Sequence, residues 1–192
     1  MAGSQATALL RLANTVDIHG SLCGQVFANR MLDTLSRKAT ITFITDGGNK
    51  VLQIAGYGVT LCKVDGALTL PAGSVLQQHV LYRPPHSNNA SWDALVVESD
   101  QVAYLLQMTV ASAHPVKQHG LAAGKDLLES CGFKGEVRLV FLLPPRAFSA
   151  FVVPQAILTA DGAASVTAWS QEKWCVDKVN NGRTFWPPQQ RE

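Results

Sequence analysis

The order of residue patterns along the chain predicts an α/β or α+β fold with a mixed sheet flanked by helices. Three observations carry this. A hairpin pattern, Asp93–Thr109, sits between two helical patterns, 20–36 and 117–131. An apolar run, Val137–Leu143, interrupted only by Arg138, follows the second helix and suits a central strand covered on both faces. Alternating segments between residues 40 and 70 add an extra meander early in the chain.

Taken in order, residues 5–15 and 20–36 are predicted helical. In the second, Cys23, Phe27, Met31 and Leu35 recur every four residues as one apolar stripe. Thr40–Thr45 and Val51–Ile54, joined by Asp46-Gly-Gly-Asn, read as a hairpin. Tyr57–Val64 and Ala67–Leu70 read as another, with Asp65-Gly66 as its turn. A strand near 75–82 leads to the Asp93 hairpin, whose tight turn is placed at Ser99-Asp100. The 117–131 helix carries Leu121, Leu128 and Cys131 on one side; Gly120 and Gly124 weaken its first turns and Gly132 caps its end. Pro144-Pro145 ends the central strand, and Ala150–Val153 offers one more. Residues 1–192 read as one domain, with a core at about 18–155 and a frayed tail at about 183–192.

Composition narrows the function classes. Hydrophobic residues make up 47% of the 192 and charged ones 16%, which excludes disorder and allows a sizeable core. A net charge of +2 does not advertise a strongly basic nucleic-acid binder. The four cysteines are scattered and the five histidines show no ligand spacing, so zinc is not expected; the thiols suit a reducing compartment. No run of about 18 apolar residues exists and no membrane partner is expected. The N-terminus carries no signal-peptide pattern.

The hairpin carries the chemistry. Alternation puts Asp93, Leu95 and Val97 on one face, with Ala103, Leu105, Gln107 and Thr109 also sharing a face. A turn at Ser99-Asp100 sets Asp93 opposite the Leu106/Gln107 end. Asp93, Gln107 and Thr109 then converge, with Asp93 and Gln107 entering one cleft flanked by the 20–36 helix. That is the arrangement of an Asp-x(n)-Glu-x-Lys metal nuclease site, with Gln for Glu and Thr for Lys. Glu98 and Asp100 lie at the hairpin's far end, roughly 17 Å away at about 3.4 Å per residue.

The flanks extend the pattern, from Leu81-Tyr-Arg-Pro-Pro-His86 through Trp92-Asp93 to Gln107-Met-Thr-Val-Ala-Ser-Ala-His-Pro-Val-Lys117 and Leu121. Residues 81–121 resemble the C-terminal nuclease-like domain of Crinkler effectors and, more distantly, the trypanosome retrotransposon hot spot proteins. Gly20-Ser-Leu-Cys-Gly-Gln-Val-Phe27 is similar to that family's first helix. The resemblance implies a restriction-endonuclease-like core of the PD-(D/E)xK class and a Mg²⁺ cofactor if the domain is active. It implies a nucleic-acid partner, DNA first, or a host nuclear protein, and a place in a nucleus, reached after secretion in a host cell. Two departures stand out: the family's helix carries Glu after the Phe, where this chain has Ala28, and the class lysine is absent.

The expected roles follow residue by residue. Asp93 and Gln107 are the candidate metal ligands, and Asp93, Gln107, Thr109 and Lys117 the candidate catalytic set. Arg83, His114, Lys117 and Lys125 are the candidate nucleic-acid contacts. Plainer readings stand beside these. Asp93 could cap a loop, Gln107 could be a satisfied buried amide, Thr109 an ordinary strand residue, His114 a packing residue and either lysine a solvated one. Gly120-Leu-Ala-Ala-Gly-Lys125-Asp is not a phosphate loop: its spacing is one residue short and Asp126 stands where a hydroxyl is needed. With one clear carboxylate, weak or absent catalysis is expected, and the alternative is a non-catalytic domain that binds a host protein.

Overall fold

The computed structural model describes residues 20–56, 58–86, 91–165, 167–179 and 183–184. The helix expected at 5–15 and the tail beyond residue 184 lie outside them. The first described element is helix α1 (Gly20–Leu35). Hairpin β1 (Ala39–Thr45) and β2 (Gly48–Ile54) follows, then short strands β3 (Gly58–Thr60), β4 (Cys62–Val64), β5 (Ala67–Thr69) and β6 (Leu81–Arg83). The long hairpin β7 (Ala94–Ser99) and β8 (Val102–Met108) leads through β9 (Val116–Lys117) into helix α2 (Gln118–Ser130). Strand β10 (Glu136–Leu143), helix α3 (Pro145–Phe148), β11 (Ile157–Leu158), β12 (Ser170–Val179) and β13 (Arg183–Thr184) complete the order.

The result is a mixed α/β fold built on one large curled sheet flanked by helices, with strand order β2-β1-β12-β10-β8-β7-β6-β3 and β13 beside β12. Strand β10 runs parallel to both neighbours, β8 and β12, and its apolar stretch Leu139–Leu143 is buried. Strands β6, β7 and β8 form an antiparallel meander. The curl brings the two ends of the sheet together: Ala55 N–H donates to the His79 carbonyl at 2.8 Å, and Lys50 on β2 reaches Glu98 on β7 at 2.8 Å.

Alternation along the strands separates two cores. On one face the α1 stripe (Phe27, Met31, Leu35) packs with Leu52, Leu106, Leu142 and Trp174. On the other, Leu121, Leu127 and Leu128 of α2 pack on Leu95, Leu105 and Phe141. Gly120 and Gly124 are there for close approach. A Cβ at 124 would lie 2.8 Å from Leu105, and one at 120 would lie 2.6 Å from Ser91 Oγ. Trp92 fills the space, its indole N–H donating to the Gly120 carbonyl at 2.8 Å. Gly132, at φ 85°, ends α2 as expected: its N–H donates to Glu129 and that of Phe133 to Leu128, closing a Schellman motif.

Several expectations need correction. The turn of the Asp93 hairpin falls at Asp100-Gln101, with an irregularity between Val97 and Ser99 that keeps Ala94 opposite Leu106. The 57–64 segment divides: β4 pairs with β5 across Asp65-Gly66, whereas β3 pairs in parallel with β6. The strand near 75–82 shortens to β6 plus a single bridge at Gln78, because its earlier residues serve as hydrogen-bonding loop around the Tyr82 hydroxyl. Ala150–Val153 is not a strand. The carbonyls of Phe148 and Phe151 are taken by Lys173 Nζ at 3.2 and 2.9 Å instead of by a ladder. Strand β12, unforeseen in the sequence, occupies the centre of the sheet between β1 and β10.

Candidate functional site

Ser91 and Trp92 fix the start of β7. The Ser91 hydroxyl donates to the Lys117 carbonyl at 2.6 Å and accepts the Lys117 N–H at 3.0 Å, so the entry to α2 and the entry to β7 are tied together. Asp93 follows at once. Its own N–H donates to the Leu106 carbonyl at 2.7 Å, which places it opposite Gln107. Its Oδ2 accepts from the Met108 N–H at 2.7 Å and from the Gln107 side-chain amide at 2.9 Å.

Asp93 stands one residue before the strand proper, and this frees it from the strand's alternation. It does not follow Leu95 onto the α2 face. It opens, beside Met108, into a cleft of about 330 Å³ on the α1 side of the sheet. Helix α1 supplies one wall through Gly24, Gln25, Ala28, Asn29 and Leu32. Thr60 and Arg83, paired across the parallel β3–β6 ladder, continue into Pro84, Pro85 and His86 to form the other.

Burial pushes the Asp93 carboxyl up to about 6, against the pull of the Met108 N–H that favours its ionised form. It therefore changes charge within reach of neutral pH. Its two hydrogen bonds come from neutral N–H donors.

The other expected site residues are distributed as follows. Gln107 is 7% exposed and lies outside the cleft lining; it turns its amide donor, not its carbonyl, to Asp93. The shared cleft expected for the two side chains thus receives Asp93 alone. Thr109 is buried just past the end of β8, its hydroxyl accepting the Ala111 N–H at 3.1 Å in a local turn. Lys117 is exposed at the N-cap of α2, and Lys125 is exposed on α2 with its ammonium 3.5 Å from Glu129. His114 packs its ring edge-on to Phe141 at 6.4 Å, donates its backbone N–H to Gln155, and has its pKa lowered by burial. None of Thr109, His114, Lys117 or Lys125 lines the cleft; Arg83 does.

Sequence reasoning missed Gln25, Asn29, Thr60 and His86. A signal existed for the first two. They are four apart on α1, on the flank of the apolar stripe that also carries Ala28, and Gln25 Nε2 donates to Asn29 Oδ1 at 3.0 Å.

The donor set does not fit a tightly held Mg²⁺. Such an ion takes near-octahedral oxygen ligands. Here one carboxylate has an oxygen already engaged by two N–H groups, and an arginine lines the same cleft. Among the described residues no three His, Cys, Asp or Glu side chains gather at one point. What the arrangement offers is an anion-compatible wall at Arg83, an amide pair on α1, and a titratable acid between them. No family model, no curated protein and no solved structure matches this chain.

Proposed function

We propose that this chain is a nuclease-like domain of the PD-(D/E)xK class, within a Crinkler-type effector, that holds nucleic acid at the Asp93 cleft and cuts it weakly or not at all. One observation carries the reading: Asp93 and Ala28 line the same cleft, one from the hairpin and one from α1. The resemblance assigns carboxylates to those two positions, and this chain keeps the first and lacks the second.

The element order supports the same reading. Helix α1, the antiparallel meander β6–β7–β8, helix α2 and the parallel strand β10 follow the order expected of a restriction-endonuclease-like core, with β1 and β2 as the extra early strands. Mg²⁺ would serve only an active form, and DNA in a nucleus is the partner and place that go with the reading. Arg83 is the phosphate contact in this scheme. An arginine offers a fork of donors that suits a phosphate, and each such contact makes binding salt-dependent.

The low net charge, +2, and an acid in the cleft favour a second reading, a non-catalytic domain that grips a host protein. Anisotropy titration of labelled single-stranded and duplex DNA at two salt concentrations separates the two. Binding that weakens with salt and with Arg83→Ala supports the nucleic-acid reading. Absence of binding at low salt rejects it in favour of the protein partner.

A further inference from the structure

We infer that the cleft accepts one unpaired nucleotide, at a strand end or bulged out of a duplex, with its phosphate on Arg83 and its base edge on the Gln25–Asn29 amide pair. This rests on the nucleic-acid reading above and narrows it to a substrate form.

Size comes first. A volume of about 330 Å³ lies at the small-ligand end of binding pockets, roughly 300–1,000 Å³, and suits one nucleotide with its sugar and phosphate, not the two of a base pair. A duplex could lie across the mouth but could not enter.

Chemistry comes next. Gln25 Nε2 is donated to Asn29 Oδ1, which fixes the two amides relative to each other and leaves Gln25 Oε1 as an acceptor and Asn29 Nδ2 as a donor. An adjacent acceptor and donor match the Watson–Crick edge of a base, which carries both types of group. In a paired base those groups are already used, so the amide pair selects for an unpaired one. Pro84 and Pro85 on the opposite wall give an apolar surface for the flat face of the ring. Arg83, at the base of that wall, supplies the charge for the attached phosphate. Extruding a base costs stacking energy, which is smallest for a nucleotide that is already unpaired.

The test uses the full chain and two DNA dumbbells closed at both ends by non-nucleotide linkers, one fully paired and one carrying a single bulged nucleotide. Fluorescence anisotropy should show the bulged form bound about tenfold more tightly, the scale of one stacked base. The double variant Gln25→Ala/Asn29→Ala should cut that preference to about twofold or less, as the paired amides are removed. Both residues are exposed on α1 and alanine suits a helix, so a circular-dichroism melt should match wild type. Arg83→Ala should weaken both dumbbells and make their salt dependence shallower. Equal affinity for the two dumbbells in wild type overturns the inference while the nucleic-acid reading stands. A preference that survives the double variant overturns the role of the amide pair. Failure to bind either dumbbell at low salt overturns both readings together.

Discussion

Two carboxylates at opposite ends of β7, Glu98 inside it and Asp93 one residue before it, are treated in opposite ways. Glu98, near the end of β7, receives the Lys50 ammonium at 2.8 Å and the Tyr104 hydroxyl at 2.6 Å. Burial alone would raise its pKa, but those partners outweigh burial and hold it below the ordinary value. Asp93, just before the first residue of β7, meets only neutral N–H donors among the described residues, and burial takes it up to about 6. The difference is the Lys50 ammonium and the Tyr104 hydroxyl at Glu98, together with the deeper burial of Asp93. With those partners the acid becomes a clasp between the two ends of the curled sheet; without them the acid lines a cleft. Buried acids set by environment in this way mark candidate functional sites.

The largest expected effect comes from removing what holds the poised end in place. Trp92 is fully buried and bridges the hairpin to α2 through its indole N–H. Trp92→Ala should cost about 3–5 kcal/mol, measured by urea unfolding, because it empties a large cavity and removes the indole hydrogen bond to the Gly120 carbonyl. A loss below about 1 kcal/mol would mean that α2 does not depend on this contact and that Asp93 is positioned by the hairpin alone.

Asp93→Asn should act in the opposite direction. An acid whose folded pKa is raised binds its proton more tightly when folded, so the folded state is favoured at low pH. That stability is present below about pH 4 and is lost as pH rises through about 6. Asparagine keeps an oxygen that accepts from Met108 and Gln107 and removes the charge. At pH 7.5 the variant should be more stable than wild type by at most about 3 kcal/mol, with the difference vanishing near pH 4. Denaturation midpoints at three pH values check this. A variant destabilised at pH 7.5 would show that the carboxylate has a cationic partner, and the contrast with Glu98 would collapse.

Much of the scaffold around these two acids was legible in the sequence, and the Lys50–Glu98 clasp was not, because its partners lie far apart in the chain. The hairpin, the Gly132 cap and the central strand β10 follow from turn chemistry and an apolar run broken only by Arg138. The cleft beside the 20–36 helix was legible and Asp93 opens into it, whereas simple alternation would have sent Asp93 with Leu95 to the α2 side. Alternation governs residues inside a strand, and Asp93 precedes β7 by one residue. Strand β12 was hidden by its charges. Its Lys173 spends them on the Phe148 and Phe151 carbonyls, and its Glu172 on Arg138 and the Trp174 indole. A buried strand can thus read as a polar loop when long side chains carry their charges to distant partners. The lysines expected to restore charge at the site sit on the α2 side for a related reason: sequence proximity to Asp93 does not say on which face of the sheet a helix packs.

A smaller effect is expected at the clasp. Glu98→Gln keeps an acceptor for the Tyr104 hydroxyl and removes the ion pair with Lys50. The pair is partly exposed, so solvent already screens it, and the cost should be about 1 kcal/mol. The Tyr104 hydroxyl, raised to about 12 by burial and by the neighbouring Glu98 charge, should titrate at lower pH in the variant. Ultraviolet titration of the phenolate reads this directly. An unmoved tyrosine would show that Glu98 does not govern its surroundings.

The smallest effect on stability should come from giving the poised end the acid it lacks. Ala28 lies on α1, lining the cleft together with Asp93 and packed at the edge of the apolar cluster. Glutamate is a good helix former and its longer chain can follow the cleft into water, so Ala28→Glu should lower stability by less than about 1 kcal/mol in a thermal melt. The consequence lies in ligand chemistry. Two carboxylates sharing one cleft repel, which should drive the Asp93 pKa further up in the absence of a cation. A divalent ion relieves that repulsion, so Mn²⁺ should stabilise the variant against heat while leaving wild type unshifted. Plasmid nicking in Mn²⁺ should then rise above wild type and fall again when Asp93→Asn is added. A variant that unfolds would place Ala28 in the core instead of at the cleft wall, since a buried unpaired charge is strongly destabilising. A folded variant that gains neither Mn²⁺ stabilisation nor nicking, or whose nicking survives loss of Asp93, would remove the catalytic meaning of position 28 and leave the cleft as a binding site alone.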